Sequence, residues 1–355
     1  MLRWLRGWLG KKRIDTELPY PQGTPQRGRS RFLKAKFRDA HVPAGFRVGV
    51  RRELGYRLYL PGGSSRRDSL PLIVMLHGCR QDSLSLAGGA RMNALAEEGR
   101  CAVLYPEQSR RANPLRCWNW FEPESLAGQG EAALIARLID QVTERRPIDP
   151  RRVYVVGISA GGAMACILAV RHSRLFAACA IHSGVMYGAA SSIVQALAAM
   201  RSGPSDASID KAWQLVREAG ESGAIVPTLV IHGDRDATVN PVNADSIVEQ
   251  LRARAEYIDP GAAPLPSAER RRESGGRTYR QQDYTQHGRV VLRKVLIEGL
   301  GHAWSGGDAQ YEFNDAAGPE ASRLILDFAT RHHREIQPIA SPAPNEQESI
   351  ELGGV

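Results

Sequence analysis

The residues Gly157-Ile158-Ser159-Ala160-Gly161, followed by Gly162, lie between an apolar segment and a run of small, helix-forming residues. A serine flanked by glycines at a sharp strand-to-helix turn presents its Oγ to a substrate carbonyl. The helix N-terminus behind it, with the N–H of Ala160, faces any oxyanion formed there. The competing reading is a glycine-rich turn that packs a helix closely onto a sheet. A serine nucleophile also needs a base, and the base needs a carboxylate to orient it. On a turn of this kind the expected chain order is Ser, Asp, His.

Two later segments fit that order. Ile231-His232-Gly233-Asp234-Arg235-Asp236 follows an apolar run, where the carboxylate is expected. Asp236 is favoured, and Asp234 is the alternative, shaping the turn by bonds to its own backbone. Gly299-Leu300-Gly301-His302-Ala303-Trp304 follows the last apolar run and offers His302 as the base. The other histidines have blander settings. His287 sits in a hairpin-turn context, His332 and His333 read as solvated surface, and His182 reads as structural. A second oxyanion donor is expected on the loop after an early strand. Leu76-His77-Gly78-Cys79-Arg80-Gln81 occupies that place, with the N–H of Cys79 as donor and His77 holding the loop.

These residues need elements to carry them. Strands are expected at 72–76, 101–105, 152–156, 177–182, 226–231 and 289–298. Helices are expected at 89–99, 130–146, 160–171, 190–200, 209–219, 241–254 and 318–334, with a polar loop over 259–276. Alternating strands and helices predict an α/β chain with a mostly parallel sheet covered on both faces. Residues 1–30 read as a basic, flexible extension, 31–335 as the catalytic domain, and 336–355 as a disordered tail.

Composition narrows the function classes. The 355 residues are 43% hydrophobic and 24% charged, which excludes a wholly disordered, collagen-like or disulfide-miniprotein chain. No apolar run is long enough for a transmembrane helix. The net charge of +9 is local: residues 1–52 hold fourteen Lys or Arg against three acidic residues, which leaves the remainder at −2. Nucleic-acid binding is therefore not expected of the main body. Met1–Gly10 is amphipathic, basic and Trp-bearing, a pattern that could dock on a membrane or polymer granule. It lacks the long apolar region of a secretory signal, which favours the cytoplasm. Five scattered cysteines form no zinc-ligand pattern and read as buried thiols.

Several motifs together resemble one family. Leu76-His77-Gly78-Cys79-x-Gln81, Arg91-Met92-Asn93-Ala94-Leu95-Ala96, Tyr105-Pro106, Cys117-Trp118-Asn119-Trp120-Phe121, the Gly-x-Ser-Ala-Gly-Gly turn and Gly301-His302-Ala303-Trp304-Ser305-Gly306-Gly307 are similar to the polyhydroxybutyrate (PHB) depolymerase family of esterases. That family also holds feruloyl and acetylxylan esterases. The resemblance implies an α/β-hydrolase fold, a Ser159–Asp236–His302 triad, and ester hydrolysis through an acyl-enzyme without metal or organic cofactor. It implies a polyester or small ester as substrate, and secretion for many members. It also suggests that Cys79 and Cys117 approach closely enough for a disulfide. Trp118, Trp120 and Trp304 then have two readings, core packing or an apolar wall beside the nucleophile. Asn119 either bonds an ester oxygen or satisfies backbone.

Overall fold

The apolar runs become the middle of an eleven-stranded sheet in the computed structural model, which describes residues 29–39, 53–219 and 225–335. Its strands are β1 (Arg31–Arg38), β2 (Glu53–Leu60), β3 (Leu70–Leu76), β4 (Ala102–Glu107), β5 (Ile148–Ile158), β6 (Ala178–His182), β7 (Thr228–Gly233), β8 (Leu265–Pro266), β9 (Arg270–Ser274), β10 (Arg277–Gln286) and β11 (Arg289–Ile297). The order is β1-β2-β4-β3-β5-β6-β7-β11-β10-β8, with β9 also paired to β10. The six strands from β4 to β11 along this path run parallel. The β1, β2, β8, β9 and β10 pairings are antiparallel. A pair of two-residue strands, β12 (Trp304–Ser305) and β13 (Asn314–Asp315), stands apart.

The helices are α1 (Ser83–Ala90), α2 (Met92–Glu98), α3 (Pro123–Leu126), α4 (Gly130–Arg145), α5 (Ala160–Arg171), α6 (Ile193–Ser202), α7 (Asp206–Glu218), α8 (Val242–Ile258) and α9 (Ala321–Ala329). They cover both faces of the sheet. Leu72, Val74 and Leu76 of β3 pack with residues of α4 to α8, whereas Ile73 and Met75 pack with α1, α2 and α9. Every residue of β3, β6 and β7 is buried. That is why these strands read as continuous apolar runs rather than as alternating ones.

The sequence expectations need four corrections. The helix expected over 89–99 is two helices, broken at Arg91, whose left-handed backbone (φ 55°) ends α1 and starts α2. The polar loop expected over 259–276 contains β8 and the exposed edge strand β9. The strands β1, β2 and β10 were not anticipated. They lie toward the two antiparallel ends of the sheet and mix apolar with charged or polar residues, so none reads as a continuous apolar run. His332 is not a solvated surface residue: it is half-buried against Phe328, and burial pushes it down to about 4. Residues 1–10, expected to dock on a surface, and residues 336–355, expected to form a disordered tail, lie outside the described residues. Among the described residues no helix is long and apolar enough to cross a membrane.

The topology determines where ligands can go. The chain leaves β3 to form β4 on one side, then returns to form β5 on the other. The carboxyl ends of β3 and β5 therefore open a crevice, the usual binding place in sheets of this kind. The loop carrying Cys79 follows β3, and Ser159 follows β5.

Candidate active site

Ser159 stands alone between the last residue of β5 and the first of α5, with φ 57° and ψ −123°. A non-glycine residue with positive φ here is strained, and the neighbours enforce it. The Ser159 N–H donates to the His182 carbonyl (3.0 Å), and the Ser159 carbonyl accepts from Ala163 N–H (3.0 Å). Two glycines make the corner sterically possible. A Cβ on Gly157 would stand 2.0 Å from the Gly161 carbonyl oxygen, and one on Gly161 would stand 2.2 Å from the Leu76 carbonyl oxygen. The serine thus sits half-exposed at the head of α5, where the helix dipole favours negative charge.

Asp236, on the turn after β7, and His302, on the loop after β11, meet beside each other. Asp236 Oδ2 accepts from His302 Nδ1 at 2.7 Å. Asp236 Oδ1 accepts the N–H groups of Thr238 (2.9 Å) and Val239 (2.8 Å). Burial pushes this carboxyl up, but the hydrogen bond and charge of His302, with the Val239 N–H, outweigh it and hold the group below its ordinary value. The carboxylate is buried while the imidazole keeps an exposed edge. Asp234 is differently used: its Oδ1 accepts from Gly299 N–H (2.7 Å), so it ties the β7 turn to the end of β11 rather than to its own backbone. His182 links the serine to the histidine loop. Its carbonyl holds Ser159, and its buried ring stacks on Trp304, two residues beyond His302, at 5.2 Å. Burial pushes His182 down to about 3, so it stays neutral.

The loop after β3 lies beside the serine: a Cβ on Gly78 would be 3.3 Å from Ser159 Cβ. Gly78 N–H is taken by Gln81 Oε1 (2.9 Å), and Arg80 N–H by the Leu115 carbonyl (2.6 Å). Between them, the N–H of Cys79 meets no acceptor among the described residues. Ala160 N–H lies at the first turn of α5, and these two N–H groups are the oxyanion donors expected from the sequence. His77 holds this loop as expected. Its Nδ1 donates to the Gly78 carbonyl (2.8 Å) and its Nε2 accepts from Gln108 N–H (3.0 Å), which fixes a neutral tautomer.

A disulfide joins Cys79 to Cys117, with Cα atoms 4.2 Å apart and a sequence separation of 38. Closing a loop of that length restricts the unfolded chain by roughly 4 kcal/mol in the chain-entropy account. Cys117→Ser is expected to lower unfolding free energy by about 2–4 kcal/mol and to reduce turnover by loosening the Cys79 N–H. Denaturant titration and initial rates check this, with intact mass rising by two hydrogens when the wild type is reduced. An unchanged mass on reduction would remove the bond. Cys101, Cys166 and Cys179 are buried free thiols, and burial pushes the first two up to about 11 and about 12.

The residues considered for a substrate wall are placed otherwise. Trp118 is fully buried and its Nε1 donates to the His77 carbonyl (3.1 Å), so it backs the loop. Trp304 is buried between His182 and Ser322, whose Oγ accepts its Nε1–H (3.2 Å). Trp120 is 5% exposed and packs edge-on to Phe121. A side chain enclosed this way offers no face to a substrate, so packing accounts for all three. Asn119 is also committed inward. Its amide donates to Glu131 (2.9 Å) and its Oδ1 accepts from Asn113 (2.9 Å).

Sequence reasoning missed the support behind these residues. Buried Glu131 also accepts from Asn119 N–H (2.8 Å) and Gln108 Nε2 (2.7 Å), and Gln108 donates on to the Cys117 carbonyl (3.2 Å). The network fastens the Cys117 end of the disulfide to α4. No local motif could have indicated it, because its members are scattered from 108 to 131. Gln81 was visible as a motif residue, but its task, holding Gly78 N–H, was not. Among the described residues no three His, Cys, Asp or Glu side chains group to hold a metal.

The parallel sheet, the serine at its strand-to-helix corner and the buried Asp–His pair define an α/β-hydrolase. The chain belongs to the PHB depolymerase family of esterases, whose profile matches residues 54–275. It is 37% identical over 188 residues to a poly(3-hydroxyalkanoate) depolymerase C of Paucimonas lemoignei, covering 51% of this chain and 44% of that protein. It is 29% identical over 188 residues to a feruloyl esterase B of Thermothelomyces thermophilus, covering 51% and 64%. The chain thus spans about half the length of the curated relatives it matches. An acetyl xylan esterase from Aspergillus awamori shares the fold with a TM-score of 0.57 and 22% identity, over 70% of this chain and 89% of that one.

Proposed function

We propose that this protein is a serine esterase that hydrolyses poly(3-hydroxybutyrate) or related hydroxyalkanoate chains through an acyl-enzyme on Ser159. The observation that carries the chemistry is the 2.7 Å bond between Asp236 and His302 in a fold that sets Ser159 at a positive-φ corner. Ser159 Oγ bonds to the ester carbonyl carbon as its proton passes to His302 Nε2. Cys79 and Ala160 N–H groups hold the oxyanion. The C–O bond to the leaving alcohol breaks, and His302 protonates that oxygen. Water then repeats the steps and frees the acid. Asp236 holds the imidazole in the tautomer whose Nε2 accepts the serine proton.

The surface favours an apolar substrate. Seven large apolar side chains are well exposed among the described residues. Five of them, Leu84, Leu115, Ile193, Val194 and Val242, lie on segments that leave the carboxyl ends of strands. Ser159 stands at that same edge of the sheet, and exposed apolar side chains on it suit a polyester chain. The 410 Å³ cavity between α4 and the far end of α5 lies about 18 Å, one helix length, from the serine and serves no step.

Wild-type protein incubated with amorphous poly(3-hydroxybutyrate) is expected to release hydroxybutyrate monomers or oligomers, detected by mass spectrometry. Methyl ferulate and acetylated xylan are assayed alongside. Turnover of either of those with no hydroxybutyrate released would overturn the polyester reading and leave the esterase.

A further inference from the structure

The strand that precedes Asp236 carries, next to its last residue, a second histidine that the hydrolytic steps do not use. His232 is fully buried in β7, four residues before Asp236. Its Nε2–H donates to the Val239 carbonyl at 2.9 Å. The same nitrogen is 3.5 Å from Asp236 Oδ2, the oxygen that accepts from His302. Val239 in turn donates its N–H to Asp236 Oδ1 at 2.8 Å. The imidazole therefore fastens the residue that fastens one carboxylate oxygen, and turns its N–H edge toward the other.

The tautomer follows from the contacts. Nε2 carries the proton because it faces a carbonyl oxygen. Nδ1 has no partner among the described residues, as expected of a buried nitrogen without a proton to donate. Burial pushes His232 below its ordinary value, against the pull of Asp236, so the ring is neutral. A dipole rather than a full charge then faces the carboxylate. Asp236 is on the adjoining turn, His302 on the loop after β11, His182 on β6 and Asp245 on α8, and these are the groups whose charge bears on His232 and its neighbour His182.

We propose that His232 is a positioning residue for the Asp236–His302 pair: it locks the carboxylate rotamer through the Val239 turn and draws negative charge on Oδ2 away from His302. This rests on the triad reading above. Glutamine and phenylalanine separate the donor from the bulk. The amide N–H of Gln reaches the place of Nε2, while Phe fills the space without a donor.

The experiment measures kcat, KM and the pH profile of kcat/KM on a soluble p-nitrophenyl ester for wild type, His232→Phe and His232→Gln. Fluorophosphonate labelling of wild-type Ser159 and thermal unfolding of each variant run in parallel. His232→Phe is expected to lower kcat about tenfold or more with KM little changed, the loss of one charge-assisted contact. Its acid limb moves to higher pH, because the carboxylate then pulls harder on the His302 proton. His232→Gln recovers most of kcat and the original limb. A purely structural role predicts lower thermal stability with the limb unmoved. Full kcat in His232→Phe, or equal loss in a well-folded His232→Gln, overturns the proposal. Should His232→Phe fail to fold, the Gln variant decides. Unlabelled wild-type Ser159 instead sinks the triad reading itself.

Discussion

Ser159→Ala is expected to lower kcat for ester hydrolysis by about 10⁶-fold, the scale seen when a triad nucleophile is removed. The reason is local. The corner that holds Ser159 is built from glycine contacts and backbone bonds to His182 and Ala163, none of which uses the hydroxyl. Alanine keeps the corner, including its positive φ, and removes only the attacking oxygen. Unfolding midpoints of variant and wild type should therefore agree closely, while fluorophosphonate labelling disappears. The oxyanion donors remain, so a residual rate above that of water is expected. Near-normal turnover by a folded Ser159→Ala would rule out the acyl-enzyme and turn attention to direct attack by water.

The second large effect separates two neighbouring carboxylates. Asp236→Asn is expected to lower kcat by about 10⁴-fold, because an amide facing Nδ1 favours the tautomer whose Nε2 already holds a proton. Asp234→Asn should leave the rate within a few-fold of wild type. Its side-chain oxygen still accepts from Gly299, and it has no bond to His302. Comparable losses in the two variants would refute the assignment of roles. Stability has its own signature. The Asp236 carboxyl is held below its ordinary value of 3.8, so its contribution is present above that value and is lost as pH falls through the depressed one. The stability gap between wild type and Asp236→Asn should therefore narrow on acidification below about pH 4. Denaturant midpoints measured from pH 7 down to pH 3 check the direction.

Legibility differed sharply between the parts of the site. Ser159, Asp236 and His302 each lie within three residues of a glycine shortly after an apolar run, so residue type, spacing and chain order all point to them. The parallel strands were legible for the same reason: burial on both faces leaves continuous apolar runs such as Leu70–Leu76. β10 and β9 were not, since Arg277–Gln286 and Arg270–Ser274 carry mostly polar residues and gain their strand form by pairing at a sheet edge. The break at Arg91 is a tertiary effect too. Gly88 and Gly89 of α1 pack so tightly on Tyr311 and Asn314 that a Cβ there would stand 2.3 Å from either.

The aromatic residues show where local reading ends. Trp118, Trp120 and Trp304 have the composition of an apolar substrate wall, and only their enclosure shows that they support the loops instead. Orientation depends on what surrounds a side chain, and no short motif encodes that. By itself the sequence determined the fold class and pointed to Ser159, to a carboxylate at Asp236 or Asp234, to His302 and to the loop that carries Cys79, because each rests on local backbone chemistry repeated at strand ends. Only the tertiary structure decided the Asp236–His302 bond over Asp234, the Glu131 network behind the disulfide, and the place of His232 beneath the carboxylate. Those depend on distances between residues far apart in the chain, which are set when the sheet closes its core and brings neighbouring strand ends together.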